Sequence, residues 1–196
     1  MANLNFRKLH RQIAPIIFLP LIISAITGLI ISLAIDWGKV EEESVEILMK
    51  IHQGGYLGGR LVPIYVLLVG LGAIAMLVTG LTMSQFLGKK RPERPNAKWD
   101  LRKIHQIAAP IIFLPLLISS VTGVIYRLGR NWFGMSNDTG EILLSLHQGE
   151  YLGDFLQPIY VLLVGLGAIL MLVTGINMTS IFRKRRQPQT DTDSEP

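Results

Sequence analysis

The chain has 196 residues, of which 49% are hydrophobic and only 17% charged, with a formal net charge of +5 and a mean hydropathy of +0.41. That balance excludes an ordinary water-soluble domain and points to the lipid bilayer, not nucleic acid, as the main partner. The absence of cysteine excludes disulfides, thiolate metal sites and cysteine nucleophiles.

In chain order, Arg7, Lys8 and Arg11 precede a charge-free run at 13–35. Further charge-free runs occupy 61–88, 107–126 and 155–182, and each meets the ~20 apolar residues that a helix needs to cross the hydrocarbon core. The runs are apolar on every side, which a helix of a soluble bundle is not. An all-α membrane protein follows, a four-transmembrane-helix bundle with spans at about 12–35, 61–87, 107–127 and 156–182. The first run is too long for a signal peptide and lacks a small-residue cleavage site, and its near-copy lies mid-chain.

After the first span, EEESVEILMKIHQGG sets Val45, Leu48, Ile51 and His52 at helical spacing with acids on the other side, which predicts a short amphipathic interfacial helix ended by glycine. GEILLSLHQGE repeats this after the third span. Residues 89–101 form a polar, basic linker, and the tail at 184–196 is too polar to pack and is expected to be disordered. Fourteen of the nineteen basic residues lie at the N-terminus, in the central linker or in the tail, whereas the other two loops hold nine of the fourteen acids. Both termini are therefore expected in the cytoplasm, in a multi-pass protein of a bacterial cytoplasmic (inner) membrane or a similar energy-transducing membrane.

A shift of 95 residues aligns the two halves without a gap, so repeat 1 (1–88) and repeat 2 (102–183) enter the membrane in the same sense. RKLHRQIAPIIFLPLIISAITG at 7–28 returns as RKIHQIAAPIIFLPLLISSVTG at 102–123. The Thr-Gly pairs 27–28 and 79–80 return at 122–123 and 174–175. Prolines 15, 20, 110 and 115 suggest kinks. Gly70, Gly72, Ala73 and Gly80, with Gly165, Gly167, Ala168 and Gly175, permit close approach of another helix or a flat ligand.

All four histidines of the chain fall in two repeat-related pairs, His10 with His105 and His52 with His147, one toward each membrane surface. Imidazoles converging from opposite sides of an axis can supply both axial ligands of a haem iron. The expectation is two bis-histidine haem b groups, bound non-covalently because no CxxCH motif is present. Two histidines alone make a poor zinc site, while chlorophyll, with one axial ligand, stays open as a competing pigment. Duplication copies histidines with or without a role, so symmetry supports this reading without deciding it.

LHRQIAPIIFLPLIISAITGLI, the HQG-x-YLG turn and a helix ending in VTGLTM resemble the PepSY-associated transmembrane family, over roughly 7–84 and 102–179. The resemblance implies a haem-binding membrane reductase-like core, with His10, His52, His105 and His147 as ligands and ferric siderophore iron as a substrate class. The loop of about 25 residues here is too short for a PepSY domain. The expected function is transmembrane electron transport, a ferric reductase-like oxidoreductase activity with an unidentified donor in the cytoplasm and acceptor outside. The other reading is a non-enzymatic membrane subunit or assembly factor, with or without a pigment, in a larger membrane complex. Neither reading assigns a catalytic side chain, and no nucleotide-binding glycine loop is present.

Overall fold

The computed structural model describes residues 5–83 and 100–179, all helix and turn without a strand among them. Six α-helices follow one another: α1 (Phe6–Asp36), α2 (Glu46–His52), α3 (Val62–Met83), α4 (Leu101–Trp132), α5 (Asn137–Gln148) and α6 (Gly153–Asn177). Four of them, α1, α3, α4 and α6, are long and apolar enough to cross a membrane, and the protein is an all-α, four-helix membrane bundle.

The long helices exceed the charge-free runs where their ends are capped. Asn5 accepts from the Lys8 amide at 3.1 Å and Asp100 from the Lys103 amide at 2.8 Å. Each cap satisfies an orphan N–H and starts its helix one to two turns ahead of the apolar run. At 1.5 Å per residue, α1 is about 46 Å long, well beyond the ~30 Å hydrocarbon core. Both α1 and α4 run through two prolines without interruption. α6 stops at Asn177, about five residues before the end of its apolar run. The tail at 184–196 and all of the basic linker at 89–101 except Asp100 and Leu101, which cap and open α4, lie outside the described residues.

Packing obeys the repeat. α1 packs on α3 and α4 on α6 within the halves, while α1 packs on α6 and α3 on α4 between them. The result is a closed square with α1 and α4 on one diagonal and α3 and α6 on the other. Its close contacts are made at glycine: an added Cβ would strike Ile17 from Gly72, Ile112 from Gly167, Val124 from Gly70 and Leu29 from Gly165, each at 3.0 Å or less. Backbones approach this closely in lipid because dispersion between helices replaces the hydrophobic effect.

The bundle is inverted relative to a soluble one. Ile16 and its repeat mate Ile111 are 74% and 71% exposed, and Leu68 and Leu163 are 64% each. Thr27, Thr79, Thr122 and Thr174 are instead buried. Aliphatic side chains face outward, as lipid requires, and small polar groups face in. Trp37 and Trp132 sit half-exposed at the ends of α1 and α4, the level at which aromatic belts form.

The short helices fold back on the bundle, α2 against α1 and α5 against α4. Each is released by a left-handed glycine, Gly54 at φ +73° and Gly149 at φ +78°. A side chain there would also collide with the ring of Tyr65 or Tyr160, so the Gln-Gly step of both repeats is required twice over.

Candidate functional site

Each repeat contributes one histidine from the start of a long helix, His10 of α1 and His105 of α4, and one from the end of a short helix, His52 of α2 and His147 of α5. At the end where α1 and α4 begin, His10 and His105 project from equivalent positions of those helices. Toward the other end, His52 and His147 are carried by the last turns of α2 and α5, their ring centroids 6.5 Å apart and their planes at 68°. The sequence placed this second pair at the membrane surface. The structure sets it deeper, because α2 and α5 lie against the long helices and drop the rings to the level of Ser24–Gly28 and Ser119–Gly123.

Every imidazole is held through Nδ1. His52 Nδ1 lies 2.9 Å from the Ser24 carbonyl oxygen and His147 Nδ1 lies 2.8 Å from that of Ser119. A carbonyl only accepts, so Nδ1 donates and carries the proton. His10 Nδ1 lies 2.8 Å from Thr79 Oγ1, and His105 Nδ1 lies 2.7 Å from Thr174 Oγ1. Those hydroxyls already donate, Thr79 to the Ala75 carbonyl at 2.6 Å and Thr174 to the Leu170 carbonyl at 2.7 Å. Each threonine therefore accepts from its histidine, and all four rings are Nδ1–H tautomers with a bare lone pair on Nε2. A hydrogen bond at Nδ1 fixes a ligating imidazole in orientation and basicity.

The Thr-Gly pairs complete the cradles. Gly28 lies against His52 Cε1 and Gly123 against His147 Cε1, where an added Cβ would approach to 2.8 and 3.0 Å. Gly80 and Gly175 lie against the rings of His10 and His105 with slightly more room, 3.5 and 3.3 Å. Thus two of the glycine pairs that the sequence offered for close packing hold helices together, while Gly80 and Gly175 make room for histidine.

Burial keeps the second pair neutral. His52 is pushed down to about 4, first by burial and then by the neighbouring His147, and burial lowers His147 as well. Neutral, Nε2-bare imidazoles are the form that binds a metal.

The spacing of the second pair is compatible with the axial set of a haem. A metal–nitrogen bond of about 2 Å and about 1.2 Å from nitrogen to ring centre set the centroids of two axial imidazoles about 6.4 Å apart, and His52 and His147 stand at 6.5 Å. Among the described residues no cluster of three or more His, Cys, Asp or Glu could hold a metal ion. Each histidine pair thus offers two nitrogens, which would suit a macrocycle that brings its own equatorial donors and does not suit zinc. The four histidines are the residues that could hold such groups. No family model, no curated protein and no solved structure matches the chain.

Proposed function

We propose that the chain is a dihaem b-type membrane cytochrome that carries electrons across the bilayer, with His10 and His105 as axial ligands of one haem and His52 and His147 of the other. The observation that most favours this reading is the shared state of the four imidazoles: each is pinned at Nδ1, each is left with Nε2 unprotonated, and the His52–His147 pair has the spacing of a bis-histidine site. When bound, haem supplies one-electron chemistry at its iron. The chain contributes the axial nitrogens, the hydroxyl and carbonyl acceptors that orient them, and an aliphatic sheath that excludes water.

The two pairs are separated along α1 by the fourteen to eighteen residues from His10 to Ser24 and Gly28, about 21–27 Å at 1.5 Å per residue. No ionisable side chain occupies α1 between Gln12 and Asp36 or α4 between Gln106 and Tyr126. Proton relays in membranes use chains of Asp, Glu or His, so this interior suits electrons rather than protons. The charge bias puts both termini in the cytoplasm, which makes His10–His105 the entry site and His52–His147 the exit site. The resemblance to the PepSY-associated transmembrane family favours ferric or siderophore-bound iron as the outer acceptor.

The test is electron transfer in liposomes that contain the protein oriented with its termini outward, a membrane-impermeant reductant outside and a ferric chelate trapped within. Reduction of the trapped iron that depends on both histidine pairs supports the proposal. A protein that binds two haems, is reduced, and never passes electrons inward contradicts it, and a colourless protein favours a docking subunit of a larger complex.

A further inference from the structure

The two repeats differ at one position that bears on the His52–His147 pair. Residue 32 is serine and its repeat mate is Arg127. Ser32 donates to Asp36 of its own helix at 2.6 Å. Arg127 instead reaches across the α1–α4 diagonal, and its Nη2 donates to Oε1 of Gln53, the residue that follows His52. On α4 it lies four residues beyond Gly123, the residue that seats the His147 ring, hence on the same helix face one turn further on.

Arg127 is part-buried, and among the described residues the one ion pair joins Lys50 and Glu46 on the exposed side of α2. A part-buried guanidinium near the end of a membrane helix, opposite a neutral amide and with no ion pair of its own among the described residues, leaves its charge uncompensated, and cations in such places are ordinarily paired. Its planar fork matches a carboxylate. Gln53 follows His52 and Gly123 seats the His147 ring, so Arg127 borders the His52–His147 pair.

We propose that Arg127 clamps a propionate carboxylate of the haem held by His52 and His147, with Gln53 steadying the guanidinium. This rests on the haem reading above and adds to it an orientation: the carboxylate edge of that ring points toward the end of α4, away from His10 and His105. Position 32 lacks a cation, so the clamp is one-sided, and the two propionates are held unequally.

The experiment uses the full chain carrying H105A, in which only the His52–His147 pair is complete, with and without R127Q or R127K. Each is titrated in detergent with haem and with haem dimethyl ester, whose propionates carry no charge, and the reduction potential of each complex is measured. R127Q is expected to weaken haem binding about ten- to hundredfold, the range for a hydrogen bond to a charged group. R127K, which keeps the charge but not the fork, should lose less. Without a substitution at Arg127 the ester should bind correspondingly weakly, and R127Q should then add no further loss. R127Q should also lower the potential of the haem complex, since removing a positive charge favours the ferric state. Helix content by circular dichroism separates these effects from misfolding. Equal binding of haem and ester, or losses from R127Q and esterification that simply add, overturns the clamp while leaving the haem site in place. Binding that H52A does not affect removes the haem reading, and the clamp falls with it.

Discussion

Replacing Thr79 with valine isolates the role of the hydroxyl that holds His10. The two side chains have nearly the same shape, and Thr79 is a buried helix residue, so valine keeps the packing and removes the acceptor. The lost contact is the 2.8 Å bond from His10 Nδ1–H to Oγ1. An unsatisfied buried donor costs about 1–3 kcal/mol, which is about five- to 150-fold in affinity. Substitutions of the groups that hold a metal's ligands give a similar 10–100-fold loss. T79V should thus weaken haem at His10–His105 by about that factor and leave the other haem bound. T27V supplies the contrast: Thr27 Oγ1 is 3.4 Å from His52 Nδ1, whose main partner is the Ser24 carbonyl at 2.9 Å. A backbone acceptor survives the substitution, so T27V should change haem affinity by less than about threefold, within the scatter of ordinary substitutions. Haem titration followed by absorption, with the helix content checked, measures both. T79V that leaves affinity untouched, or T27V that costs as much, refutes the assignment of proton positions on which the sites are built.

Alanine at Gly28 places a Cβ 2.8 Å from His52 Cε1 and must displace the ring by several tenths of an ångström, whereas alanine at Gly80 meets His10 at an ordinary 3.5 Å. G28A should weaken the second haem by the roughly five- to 150-fold that corresponds to an overpacking cost of about 1–3 kcal/mol, and G80A should be neutral, as read by haem titration. In the haem-free protein His52 is held at about 4 against an ordinary 6.5. The unfolded chain then binds the extra proton first, so stability is flat above about pH 6.5 and falls as pH drops from there through 4. Thermal unfolding across that range checks the sign, and a stability that rises on acidification contradicts it. A reporter fused after Pro196 should be active in the cytoplasm, since the basic residues cluster on that side. Activity outside would exchange the entry and exit sites.

The fold was legible because lipid imposes a one-dimensional signal. Charge-free runs of sufficient length locate the spans, and a gapless repeat of 95 residues dictates that their packing be symmetric. The approach of His52 and His147 to 6.5 Å was legible for the same reason, since residues that face a repeat axis meet their equivalents across it. Helix ends were harder, because Asn5 and Asp100 extend α1 and α4 through charged residues that hydropathy counts against a span. The cradles were hidden despite a visible signal. The Thr-Gly pairs recur in register with the histidines, but only the structure shows that Thr79 serves His10 and Gly28 serves His52, contacts between residues 69 and 24 positions apart. The Ser24 and Ser119 acceptors are backbone carbonyls and leave no trace in residue type. Arg127 was visible as a break in the repeat, yet its reach to Gln53 depends on a packing of α4 and the α2 turn that a linear pattern does not contain.

Haem content per chain in the unsubstituted protein and in four single histidine variants tests the central claim most directly. The account predicts two low-spin bis-histidine haems per chain by absorption and paramagnetic resonance, falling to one in each of H10A, H105A, H52A and H147A. The haem lost in the first two variants should be the one retained in the last two. A single haem that all four variants abolish, or a haem content that no variant changes in a folded protein, contradicts it.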